Sequence, residues 1–183
     1  MRASIHALKY DRMASLARPL GIRLAAAIEQ LADNAPREML VVPVPLHRGR
    51  QAERGFNQAR TLAVEALKVL RVSHPEWRLE LSLRSLVRQR STESQAGLTP
   101  RQRRLNLRGA FFVSDFEAVR GRHVLLIDDI YTTGATGRAC SRTLIEAGAA
   151  SVRVATLARA QRRWPFPFRD ERRAIENESS TVH

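Results

Sequence analysis

The sequence is short of cysteine, lysine, aromatic residues and long apolar runs. A single cysteine, Cys140, stands among 183 residues, which leaves no intramolecular disulfide and no cysteine-built zinc site. Its expected role is that of a small buried apolar residue. No stretch approaches the roughly 20 apolar residues of a membrane span. The N-terminal MRASIHALKYDRM has no apolar core of a signal peptide, so the expected location is cytoplasmic. Lysine occurs only as Lys9 and Lys68, and no GxxxxGK[ST] is present, which excludes a nucleoside-triphosphate P-loop. Aromatics make up 5% of the chain, and none falls within Arg84–Arg108. That weakens any reading of this segment as a base-stacking surface.

What is present is a soluble, strongly basic composition. Apolar residues are 44% and charged residues 27% of the chain, and the length suits one domain with a substantial core. The net charge is +13, almost all of it arginine, a side chain suited to bidentate contacts with phosphate. Arg84–Arg108 holds seven arginines against one acid, Glu93, and Arg159–Arg173 holds six against Asp170 and Glu171. An anionic partner is implied, and nucleic acid and a phosphorylated small molecule both satisfy it.

The stretch Val124–Thr136, VLLIDDIYTTGAT, says which anion. Four apolar residues, Val124–Ile127, fit a buried strand of a parallel sheet. Asp128 and Asp129 stand at its carboxyl end, and the turn Thr132-Thr133-Gly134-Ala135-Thr136 opens a helix reaching about Ala147. Backbone N–H groups, three threonine hydroxyls and a glycine for close approach suit a phosphate monoester, and the helix dipole adds to them. The carboxylates call for ribose hydroxyls or a hydrated Mg²⁺ in front of them. Strand, acids, turn and helix in this order describe a phosphorylated-sugar site at the end of an α/β sheet.

The surrounding periodicity predicts alternating helices and strands. Helical spacing runs through 2–34 and Phe56–Leu70, with Gly148 ending a third helix. Strands are expected at Met39–Val44, in Leu79–Val87, and at Ala110–Val113, Val124–Ile127 and Ser151–Leu157, with a turn at Asp115–Gly121. Asn57 either caps the second helix or contacts a ligand. Ser91–Arg108 has no apolar period and reads as a long loop of the functional kind. The fold class is α/β, with a parallel central sheet flanked by helices. The organisation expected is a domain over 1–158, with an N-terminal helical segment at 1–34 and a flexible loop at 88–108. A basic tail follows at 159–183.

VLLIDDIYTTGAT resembles the thirteen-residue motif with which type I phosphoribosyltransferases bind 5-phosphoribosyl-1-pyrophosphate (PRPP). Val42–Gln58 (VPVPLHRGRQAERGFNQ) narrows this to the ComF family, whose GntX-like members carry VPVPLH and RGFNQA. So do Thr92, Gln95, Leu98, Arg103, Asn106 and Gly109-Ala110-Phe111, in that order. The resemblance runs from about Ile5 to Leu157. Many of these proteins carry a four-cysteine zinc module ahead of the segment matching Leu8-Lys9-Tyr10; here the sequence opens almost at that segment, so either this member lacks the module or its start was assigned late.

The resemblance implies a type I phosphoribosyltransferase fold and a division of labour among residues. Asp128 and Asp129 would face the ribose hydroxyls, with Mg²⁺ as cofactor, and Thr132, Thr133, Gly134, Ala135 and Thr136 would cradle the 5′-phosphate. Tyr131 either contacts the ligand or covers the site. His47, Arg48 and Gly49 follow the first strand, where these enzymes keep their pyrophosphate loop, although solvated-loop roles for Arg48, Arg50 and Arg54 weigh equally. The loop after Arg88 would close over PRPP and bring Arg88, Arg90 or Arg103 to the pyrophosphate. Three functions compete: phosphoribosyl transfer to an unidentified acceptor, a non-catalytic role in DNA uptake or use through single-stranded DNA or a helicase, and PRPP sensing. A homodimer is compatible with each. Trp164, Phe166 and Phe168 offer a hood over a base, a DNA-contact strip or simple packing.

Overall fold

The computed structural model describes residues 16–31, 34–47, 49, 52, 55–89, 99, 102, 107 and 109–159. Its elements are α1 (Ala17–Glu29), β1 (Glu38–Pro43), α2 (Gln58–Ser73), β2 (Arg78–Leu81) and β3 (Leu86–Arg88). They continue with β4 (Phe111–Val113), α3 (Phe116–Val119), β5 (His123–Tyr131), α4 (Ala135–Glu146) and β6 (Ser151–Arg159). Four strands form a parallel sheet in the order β2-β1-β5-β6, and β3 pairs with β4 as a separate antiparallel ribbon. No helix among the described residues is long and apolar enough to cross a membrane.

A parallel sheet covered on both faces needs apolar residues at every position, and the two central strands supply them. Met39, Leu40, Val41 and Val42 of β1, and Val124–Ile127 of β5, are all at most 1% exposed. Alternate side chains enter two cores. Met39, Val41, Leu125 and Ile127 pack with Leu24 and Ile28 of α1 and with Leu62 and Leu70 of α2. Leu40, Val42, Val124 and Leu126 pack with Cys140 and Leu144 of α4 and with Phe111 and Val113 of β4. Gly21 of α1 lies so close to α2 that a Cβ there would collide with Cβ of Glu65 and press on the backbone at Ala66.

Four expectations are corrected. The helix expected over 2–34 ends already at Glu29, with Gln30 and Leu31 in a turn, while 2–15 lie outside the described residues. Asp115–Gly121 is not a simple turn, because the Asp115 carboxylate accepts from Ala118 N–H at 3.1 Å and caps the short helix α3. β5 does not stop at Ile127. It runs on through the acid pair because β6 keeps pairing with it, Asp128 with Thr156 and Tyr131 with Arg159. Arg88 is not a loop residue, since it belongs to β3 and is 7% exposed, its guanidinium 5.6 Å from the centre of the Phe111 ring. The expected end of α4 is met. Gly148, at φ 95°, donates to Ile145 O, and Ala149 to Leu144 O.

Candidate functional site

Every strand of the parallel sheet points its carboxyl end to the same edge, which is where open α/β sheets bind ligands. At that edge β1 and β5 leave the sheet side by side, tied by Val44 N–H to Ile127 O at 2.8 Å. Asp128 and Asp129 follow at once, both half-buried. Asp128 Oδ1 accepts from Asp129 N–H at 2.9 Å, and Asp129 Oδ1 accepts from Ile130 N–H at 2.8 Å. Each carboxyl group is therefore held against the strand by the next amide.

The turn after β5 is shaped by Gly134. Its φ of 71° is left-handed, and a Cβ on it would run into the Tyr131 hydroxyl and the Arg138 guanidinium. Thr133 Oγ1 accepts from Ala135 N–H at 3.4 Å, and Arg138, in the first turn of α4, donates to Thr133 O at 2.7 Å. Thr132 is exposed, Thr133 and Thr136 are half-buried, and Gly134 and Ala135 are buried. Tyr131 packs its hydroxyl on the turn, and Arg159 at the end of β6 lies over its ring at 5.7 Å. Beneath the turn Cys140 is fully buried. Burial pushes its thiol well above the ordinary range, the Asp128 charge adds to this, and the Arg88 charge opposes it.

On the β1 side, Gly49 N–H donates to Nδ1 of the half-buried His47 at 3.2 Å, so this ring nitrogen is an acceptor. Asn57 caps α2 by accepting from Arg60 N–H at 3.2 Å, and its Nδ2 donates to Val44 O at 3.0 Å. The start of α2 is thereby pinned to the exit of β1. The edge brings together Asp128, Asp129, the turn Thr132–Thr136, His47 and Gly49. Arg48, Arg50, Arg54, Arg90, Thr92, Gln95, Leu98, Arg103, Asn106, Trp164, Phe166 and Phe168 lie outside the described residues. Among the described residues, no cluster of three or more His, Cys, Asp or Glu side chains is placed to hold a metal ion. Among the described residues, the acid pair offers the adjacent carboxylates at this edge.

One feature is not marked in the sequence. A groove of about 750 Å³ runs between α4 and the β4–α3 segment, walled by Phe112, Phe116, Arg138, Arg142 and Thr143. Phe112 is 38% and Phe116 53% exposed. The signals available were the alternation of β4, which turns Phe112 away from the core, and the i,i+4 spacing of the two arginines.

A parallel sheet with an acid pair and a Gly/Thr turn at its carboxyl edge defines the type I phosphoribosyltransferase fold. A model of the phosphoribosyl transferase domain matches residues 54–182. The chain belongs to the phosphoribosyltransferase family, as a ComF-family phosphoribosyltransferase-like protein. It is 33% identical over 157 residues to the DNA utilization protein YhgH of Escherichia coli (strain K12), covering 85% of this chain and 65% of that protein. It is 39% identical over 126 residues to the competence protein ComFC of Bacillus subtilis (strain 168), covering 68% of this chain and 46% of that one. The chain thus spans about half to two-thirds of the length of these relatives. Among solved structures, the glutamine PRPP amidotransferase from B. subtilis complexed with ADP and GMP is similar at 22% identity and a TM-score of 0.45. That match covers 79% of this chain and 26% of the amidotransferase.

Proposed function

We propose that the carboxyl edge binds PRPP and that the protein transfers its phosphoribosyl group to an acceptor. The observation that carries this reading is the contiguity of the acid pair with a turn built on a left-handed glycine. The turn Thr132–Thr136 holds the 5′-phosphate through backbone N–H groups and hydroxyls, and Asp128 and Asp129 accept from the ribose 2′- and 3′-hydroxyls. His47, Arg48 and Gly49 take the pyrophosphate, joined by Arg90 and Arg103 from the segment between β3 and β4. Excluding water from the cationic ribose is the purpose of that closure.

The acid pair also fits Mg²⁺, which binds through one or two carboxylates together with substrate phosphates rather than in an all-protein cage. Bound Mg²⁺ would offset charge on the departing pyrophosphate. Charge-assisted hydrogen bonds contribute roughly 1.5–3 kcal/mol each, so removing one acid should weaken PRPP binding about tenfold or more. Calorimetric titration of PRPP with Mg²⁺ into the wild type and Asp129→Asn tests this. A wild type that takes up no PRPP sinks the reading. Pyrophosphate release across a panel of bases and amines then identifies the acceptor.

The groove beside α4 favours a second activity at the same molecule, contact with single-stranded nucleic acid. Exposed Phe112 and Phe116 opposite Arg138 and Arg142 combine a stacking platform with cations, the two elements of such surfaces. The relatives named for DNA utilization and competence agree with this reading. The cytoplasm is its natural setting.

A further inference from the structure

The stripe of α2 that faces the sheet reads Gln58, Leu62, Ala66, Leu70, in steps of four, and all four residues are buried. Three belong to the apolar core over Met39, Val41, Leu125 and Ile127. The fourth carries an amide. Gln58 is 2% exposed, and its Nε2 has no hydrogen-bond partner among the described residues. Leucine would pack at such a position without leaving a donor unmade, and an unmade buried hydrogen bond is destabilising.

The location of this amide says what it is for. α2 connects the parallel strands β1 and β2, so its N-terminus lies at the carboxyl edge of the sheet, beside the acid pair. The link is short: Asn57 Nδ2 donates to Val44 O, and Val44 N–H donates to Ile127 O, the residue before Asp128. Helical side chains lean toward the helix N-terminus, which carries Gln58 toward the first turn of α2. There Asn57 satisfies Arg60 N–H, while the N–H groups of Gln58 and Ala59 have no acceptor among the described residues. A 16-residue helix presents a positive dipole end at the same point. Donors converge there, and no carboxylate of the described residues takes them.

We propose that Gln58 is a ligand-contact residue, its side-chain amide donating to a pyrophosphate oxygen held over the first turn of α2. This rests on the PRPP reading but adds a contact on the opposite side of the site from the phosphate turn. It separates the two ends of the ligand: the α4 turn reads the 5′-phosphate, and the α2 end reads the pyrophosphate.

The test compares three probes, each with Mg²⁺ (inorganic pyrophosphate, PRPP and ribose 5-phosphate), on the wild type and Gln58→Leu, with Gln58→Met as a second packing control. The expected result is about a tenfold loss for pyrophosphate and PRPP, the size of one charge-assisted hydrogen bond. Ribose 5-phosphate binding should be unchanged, and the ligand-free melting temperature equal to or above that of the wild type. Unchanged pyrophosphate affinity in both variants overturns the proposal. So does a parallel loss of all three probes with a lowered melting temperature, which marks a packing role. If the wild type binds pyrophosphate in a Gln58-dependent way but not PRPP, the amide contact stands and the PRPP reading falls. A wild type that binds neither overturns both.

Discussion

Gly134 shows how much one residue can decide. Its φ is left-handed, and a methyl group there would also have to displace the ends of the Tyr131 and Arg138 side chains. Left-handed backbone at a residue bearing a Cβ costs about 1–2 kcal/mol before any clash. Gly134→Ala should therefore lower stability by at least that much in urea unfolding and weaken ribose 5-phosphate binding in calorimetry. A variant with wild-type stability would mean that the turn can relax. Residues of this kind were readable in the sequence because their chemistry is local: a glycine, three hydroxyls and two acids within thirteen positions. Arg88 was not. Among seven arginines in one segment, only the pairing of β3 with β4 makes it a buried cation under Phe111 rather than a solvated one. Gln58 was hidden for the opposite reason, since a polar residue at the head of a helix is ordinarily solvated. Phe112 is marked only by the alternation of β4, and the exposure of Phe116 follows from the tertiary fold alone.

At the scale of elements, the contact between α1 and α2 sets two effects against each other. Alanine is favoured over glycine in a helix interior by about 1 kcal/mol, so Gly21→Ala should stabilise α1 taken alone. The added methyl, however, meets Cβ of Glu65 and the Ala66 backbone, which are not flexible side-chain ends. Overpacking of this kind typically costs about 1–3 kcal/mol, so the expected net effect is a lower melting temperature. A rise would show that the two helices separate freely. Strand and helix positions in the sheet were legible from apolar runs and from the caps Asn57 and Gly148. The length of β5 was not, because it is set by β6, a partner separated from it by a whole helix. The cap at Asp115 was overlooked because four residues are too few to show a helical period.

At the scale of the whole molecule, a charge of +13 makes any contact with nucleic acid sensitive to salt. Single-stranded DNA affinity should fall as salt rises, with a log–log slope of roughly −0.7 per phosphate contacted. Arg142→Gln should make that slope shallower, whereas Phe112→Ala with Phe116→Ala should lower affinity and leave the slope alone. Equal effects from both changes would argue against the groove as the contact surface. The composition alone anticipated an anionic partner, but not where on the surface it would lie. The exit of β1 carries one more consequence. Toward β2 the ladder ends where Ser82 N–H reaches Val41 O, and toward β5 it ends at Val44 N–H on Ile127 O. Pro43 and Pro45 share the β2-facing side of Val41 and have no N–H, so it is the ladder toward β2 that cannot be prolonged. The parting of β1 from β2 beyond Val41 is therefore held open by two missing hydrogens. No protonation, ionic strength or bound molecule can put them back, so the separation of β1 from β2 at the carboxyl edge is written into the covalent chain rather than maintained by its contacts.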